Sequence, residues 1–189
     1  MTRFTAPRRG QAFFKAGEVV LPPSAFIYAW LRQTSGNPPV SGDDRDMNVD
    51  GSLATPGVFQ WTVPPQRIAK LSRINIVIVD GGIGWNEFAG LGSDLTNGIL
   101  LQTMFADGNP SLDFLEGEAI RTNADFSSMA GVDGISIAAA GDDVLPVRFS
   151  FFKAGSEIEL RENESIRIMI RDDLTGITRM RAKLQGIFA

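Results

Sequence analysis

From Val58 onward the chain is written in period two. Ile74, Ile76 and Ile78 alternate with Asn75, Val77 and Val79. Leu145, Val147, Phe149 and Phe151 alternate with Pro146, Arg148, Ser150 and Phe152. Ile166, Ile168 and Ile170 alternate with Arg167, Met169 and Arg171, and Met180, Ala182, Leu184 and Gly186 with Arg181, Lys183, Gln185 and Ile187. Successive strand side chains point to opposite faces, so this spacing predicts half-buried strands. Val58–Val63 and Gly98–Phe105 add two more. Turn signals such as Asp107-Gly108-Asn109-Pro110 punctuate the segments, and no long amphipathic helix interrupts them. Roughly eight short strands with such spacing predict an all-β antiparallel β-sandwich or barrel. The strand ending at Asp80 is apolar on both faces near its end, which predicts a central strand covered on both sides.

The first third reads differently. Eight of the ten prolines precede residue 66: Pro7, Pro22, Pro23, Pro38, Pro39, Pro56, Pro64 and Pro65. Proline excludes long helices and central strands, yet Phe4, Phe13, Phe14, Phe26, Tyr28 and Trp30 make the stretch too aromatic for a solvated linker. The expectation is an extended arm over 1–54 whose apolar side chains need cover, followed by a β-sandwich domain over 55–189. Within the arm, Ser24 after Pro22-Pro23 offers a helix cap. Phe26, Ile27, Trp30 and Leu31 then fall at helical spacing, so a helical turn or two is expected in 19–33 and loop over 34–56. The acidic run Asp43–Asp50 reads as a hinge into the sandwich.

Composition narrows the chemistry. There is no His and no Cys, which excludes Ser-His-Asp and Cys-His nucleophiles and disulfides. Net charge is -4, modestly acidic, which argues against a dedicated nucleic-acid binder. Residues 1–17 carry Arg3, Arg8, Arg9 and Lys15 without an acid, so 18–189 carry -8. A basic tip on an acidic body suits docking to a negative protein surface or to a like subunit, and is also what a solvated tail looks like. No leader peptide is expected, and no window approaches about 18 apolar residues, so no membrane span is expected either.

The candidate sites each have a plain alternative. Asp44, Asp46, Asn48 and Asp50 resemble the start of a calcium loop, but Val49 and Thr55 stand where that loop needs Gly and Glu. A looser calcium site or a solvated acidic loop remains. Asp142-Asp143 and Asp172-Asp173, with Asp80, offer paired carboxylates for glycoside chemistry or a metal, or simple turn caps. Trp61, Trp85 and Phe88 offer a stacking platform or core anchors. Arg167, Arg171, Arg179, Arg181 and Lys183 face outward on the last two strands, positioned for polyanions, for Glu157, Glu159 and Glu164 on neighbouring strands, or for a partner protein. Asn123 is placed to cap a helical turn. Gly81-Gly82-Ile83-Gly84 is too short for a dinucleotide fingerprint. No catalytic residue, cofactor or metal is assigned, and the chain is read as a non-enzyme.

Several turn-and-strand patterns look familiar. They are Thr55-Pro56-Gly57-Val58-Phe59, Ile78-Val79-Asp80-Gly81-Gly82, Asp94-Leu95-Thr96-Asn97-Gly98-Ile99, Asp142-Asp143-Val144-Leu145-Pro146-Val147-Arg148 and Arg171-Asp172-Asp173-Leu174-Thr175-Gly176. From Thr55 onward the chain resembles small virion structural proteins of tailed bacteriophages, of the capsid decoration (cement) type. The resemblance implies a jelly-roll-like sandwich, a trimer, and attachment to the major capsid protein or another virion protein, with assembly in the host cytoplasm and no part for nucleic acid or membrane. A tail adaptor or a fibre- or spike-attachment protein would use the same parts. A carbohydrate-binding module built on Trp85, Asp142 and Asp172 is the alternative from another class. On the decoration reading the arm residues Arg3, Phe4, Arg8, Arg9, Phe13, Phe14, Lys15, Phe26, Tyr28 and Trp30 bind the partner. Deleting 1–54 is then expected to leave a soluble domain that no longer binds particles.

Overall fold

The structure is a computed structural model. It describes residues 13–15, 18–20, 26–115, 117–129, 136–138, 142–151 and 157–189. The strands are β1 (Phe13–Lys15), β2 (Glu18–Val20), β3 (Phe26–Trp30), β4 (Arg32–Ser35), β5 (Gly57–Thr62), β6 (Ala69–Asp80), β7 (Ile99–Met104), β8 (Pro110–Asp113), β9 (Ser136–Ala138), β10 (Asp142–Ser150), β11 (Ile158–Leu160), β12 (Ser165–Ile170) and β13 (Arg179–Phe188), with one helix, α1 (Asn123–Met129), between β8 and β9. β1 and β2 pair with each other as an antiparallel two-stranded sheet.

The remaining strands form two antiparallel sheets. One runs β3-β13-β6-β10-β9, with β11 also on β6; the other runs β4-β5-β12-β7-β8. Take β3, β5, β6, β7, β8, β10, β12 and β13 as eight strands in chain order. The first, eighth, third and sixth are then neighbours in one sheet, and the second, seventh, fourth and fifth in the other. Two Greek keys wound this way make a jelly-roll sandwich. β4 and β9 lengthen the sheets at their edges. β11 continues along β6 where β10 leaves off, since Ser150 pairs with Arg73 and Ile158 with Leu71.

The alternation in the sequence sorts the side chains. Ile74, Ile76 and Ile78 of β6, Leu145 and Val147 of β10, and Ile166, Ile168 and Ile170 of β12 lie in one core with Phe59, Leu101, Met180 and Leu184. At roughly 1.5–3 kcal/mol per buried aliphatic side chain, this layer carries the fold. A register break opposite Gln185 and Gly186 leaves Ser72 unmatched on β6. A Cβ on Gly186 would collide with the Lys70 carbonyl, so glycine allows the strands to close there. β6 is central as expected, but only one of its faces is covered: Val77 is 38% exposed.

The first third departs from expectation. Residues 26–35 form two strands, not a helix. Phe26, Ile27, Trp30 and Leu31 fit helical spacing, but Ile27 and Leu31 also fit period two, and both are buried. Pairing of β3 with the long β13 decides between the two. Nor do residues 26–54 stand apart as an arm from a domain at 55–189. β3 lies in one sheet and β4 in the other, and Met47 and Val49 are wholly buried in the shared core. The 43–50 loop is therefore part of the body and not a hinge. Ser24 lies outside the described residues.

Candidate interaction surface

At one end of the sandwich, β6 finishes beside the start of β10, with Asp80 opposite Asp143. Asp80 is buried and accepts hydrogen bonds from the Gly81 and Gly90 amides at 3.0 and 2.9 Å. Asp143 accepts from the Ile83 amide at 3.1 Å. Asp172 accepts from the amides of Thr96, Asn97 and Gly98 at 3.1, 3.0 and 2.6 Å. Asn123, fully buried, accepts from the Ala89 amide and donates to the carbonyls of Gly84 and Ala89. The helix cap expected of Asn123 is made instead by Thr122, in a capping box with Asp125. These groups hold the long loop after β6, satisfying amides that burial would otherwise leave without partners. The Asp residues that the sequence offers as paired acids act here as acceptors for loop backbone. Of the aromatic trio, Trp85 is 48% exposed on this loop, Phe88 is fully buried against Phe126, and Trp61 packs on Phe188. They do not form a common platform.

The acidic 43–50 loop is likewise engaged. Asp43 takes two hydrogen bonds from the Arg45 guanidinium, at 2.8 and 2.6 Å, and one from Arg181 at 2.7 Å. The hydrogen bonds from Arg45, with the Arg181 charge beside them, hold the Asp43 carboxyl well below the usual carboxylate range. Asp44 pairs with Arg32 at 2.7 Å, and buried Asp46 accepts from the Met180 amide at 3.0 Å. Among the described residues, no group of three or more acidic side chains is placed to hold a metal ion.

Four of the outward basic residues find other partners than the glutamates expected for them. Arg167 donates to Gln102, and burial lowers the pKa of its guanidinium. Arg171 donates to the carbonyls of Asn97 and Gly98, and Arg181 goes to Asp43. Lys183 reaches across to β3, its Nζ 3.3 Å from the centre of the Tyr28 ring and 4.8 Å from that of Trp30. Such contacts between an ammonium and the face of a ring are attractive.

That contact lies on an exposed aromatic surface. Phe26, Tyr28 and Trp30 point outward from β3, while Ile27 points in. Phe26 and Tyr28 are 58% and 65% exposed. They stand in register with Ile187, Gln185 and Lys183 of β13, and the same outer face continues through Arg73 and Asn75 of β6 to Arg148 of β10. A groove of about 390 Å³ opens between β3 and the β13 bulge, lined by Phe26, Ile27, Tyr28, Ser72, Glu157, Gln185, Gly186 and Ile187. The groove depends on a bulge that no sequence period announces. The aromatics of β3 were legible in the sequence as residues needing cover, but at helical spacing and not as alternate positions of a strand.

Of the partner-binding residues expected from sequence, Phe26, Tyr28 and Trp30 are brought together on this face. Phe13, Phe14 and Lys15 form β1. Arg3, Phe4, Arg8 and Arg9 lie outside the described residues. The fold and surface define a jelly-roll sandwich with an aromatic, basic outer face. No family model, no curated protein and no solved structure matches the chain.

Proposed function

We propose that this protein is a virion structural protein of a tailed bacteriophage, a decoration protein of the head that binds the major capsid protein as a trimer. The observation that carries the reading is the division of labour on the molecule. The carboxylates Asp43, Asp80, Asp143 and Asp172 are engaged within the fold, whereas Phe26 and Tyr28 stand exposed beside Lys183 at the first strand of the sandwich. The chain leading into that strand carries Arg3, Arg8, Arg9 and Lys15. An aromatic patch flanked by positive charge suits docking to an acidic protein surface: aromatics anchor interfaces, and complementary charge steers them together. The turn-and-strand resemblance to phage decoration proteins supplies the identity of that surface.

Copy number on purified particles tests the reading. A number that scales with the capsomers of the shell is expected. A number matching the single tail vertex would replace head decoration by a tail adaptor or fibre-attachment role. Absence from particles would overturn both.

A further inference from the structure

Each sheet of a sandwich ends in edge strands whose free backbone groups invite pairing, and folded proteins blunt such edges with charge, proline, bulges or brevity. Four of the edges here are blunted. β9 and β11 are three residues each, and β11 carries Glu159. β8 begins at Pro110, and its register breaks opposite Met104. β4 reads Arg-Gln-Thr-Ser, has a register break of its own, and its Gln33 amide is taken by the Asp44 carbonyl. β3 has none of these features. Its five residues, Phe-Ile-Tyr-Ala-Trp, carry no charge and no proline, and pair with β13 in unbroken register.

We propose that the outer edge of β3, which no other described strand pairs, is a two-fold contact between copies of this chain, in which β3 pairs antiparallel with β3 of a second copy about an axis at Tyr28. The backbone phase sets the axis. Leu31 donates its amide to Ala182 on β13 at 3.0 Å. In an antiparallel ladder, bonded pairs alternate, so Ala29 and Ile27 also face β13, while Phe26, Tyr28 and Trp30 turn their N–H and C=O groups to the open edge. A two-fold axis at Tyr28 sets Tyr28 against Tyr28 and Phe26 against Trp30, and forms about six backbone hydrogen bonds. The side chains obey the same symmetry. The outer face receives aromatic against aromatic, and the inner face receives Ile27 against the small Ala29, both favourable cross-strand arrangements. Downstream, the chain leaves this sheet at Arg32 to form β4 of the other, which ends the ladder on that side. No charge lies on β3 itself, so no like charges oppose each other. A contact that repeats one patch on both partners closes on itself and does not propagate into fibres.

The contact is independent of the decoration role: it joins two protomers, or two trimers where the protein is trimeric, and it is tested on the isolated full-length protein. The chain has no cysteine, so single cysteines report register. Directly opposed Cα atoms in a bonded pair lie about 5.5 Å apart, within disulfide reach. Tyr28→Cys is expected to oxidise to a disulfide-linked dimer at micromolar concentration. Phe26→Cys alone is expected not to, and Phe26→Cys mixed with Trp30→Cys is expected to cross-link. Tyr28→Pro removes an outward amide and no inward one, together with the Tyr28 ring and its Lys183 contact, and is expected to halve the assembly mass in sedimentation while keeping the sheet signal in circular dichroism. A Tyr28→Cys protein that stays uncross-linked would overturn the proposal, as would equal cross-linking of Phe26→Cys, which would mean another register. A wild-type protein that is monomeric would also overturn it, its own N-terminal segment or another protein being the occupant of the edge. If Tyr28→Pro fails to fold, the cysteine series decides alone.

Discussion

The loop end of the sandwich and the β3 face use their prominent side chains in opposite ways. At the loop end, Asp80, Asp143, Asp172 and Asn123 all bond to backbone within the molecule. On the β3 face, Phe26 and Tyr28 remain open to solvent, and Lys183 is held by rings and not by an acid. Polar groups bonded inward stabilise loops, and exposed apolar groups are where partners bind. Substitutions in the first region should therefore change stability, and substitutions in the second should change association.

The largest effect tests where the body of the protein begins. Deleting residues 1–54 removes β3, β4 and the buried Ile27, Leu31, Met47 and Val49. Each large core truncation alone costs about 2–5 kcal/mol, against a total stability of about 5–15 kcal/mol. The product is expected to be insoluble or without cooperative unfolding. Deleting only 1–24 keeps every strand of both sheets and is expected to yield a folded protein that has lost particle binding. A soluble, cooperatively folding 55–189 fragment would restore the boundary read from sequence.

Next in size is Asn123→Ala. It leaves the Ala89 amide and two carbonyls without partners in a fully buried setting. A loss of about 2–3 kcal/mol is expected in denaturant unfolding. Asp172→Ala, which frees the three amides of Thr96, Asn97 and Gly98, is expected to cost about 1–3 kcal/mol. Both variants are expected to bind particles as wild type does. Tyr28→Ala reverses the pattern. It loses a half-exposed ring and its Lys183 contact, for about 1 kcal/mol or less, but is expected to weaken particle binding strongly. If Tyr28→Ala and Asp172→Ala affect binding equally, the two regions do not divide the work.

The two regions were also unequally legible. Period two announced β6, β10, β12 and β13, because each buries one face along its length. Composition announced the aromatics of the first third, but period two did not announce their strand. Phe26, Ile27, Trp30 and Leu31 satisfy a helical and a strand period at once over so short a run. The arbiter is β13, more than 150 residues away in the chain. The buried 46–49 segment was unreadable for the same kind of reason. Asp46 reads as solvated until the Met180 amide is placed against it. The loop carboxylates looked like candidate acids because a sequence shows charge but not which amides will converge on it.

The smallest effect concerns Asp43, which joins the 43–50 loop to β13 through Arg45 and Arg181. Its folded pKa lies below the value of about 3.9 for an unperturbed Asp. The folded state therefore holds the carboxylate more firmly ionised than the unfolded state does. The resulting stability is fully present above the unfolded pKa and is lost as pH falls below it toward the folded value. The melting-temperature gap between wild type and Asp43→Asn is expected to be constant from neutral pH down to about pH 5 and to narrow below about pH 4. Arginine stays charged throughout, so the change belongs to the carboxylate. Tyr28→Ala does not touch this network, and its small gap from wild type is expected to stay flat over the same range. A gap for Asp43→Asn that widens on acidification would mean that the carboxylate destabilises the loop, and that the inward-bonded acids are not uniformly braces.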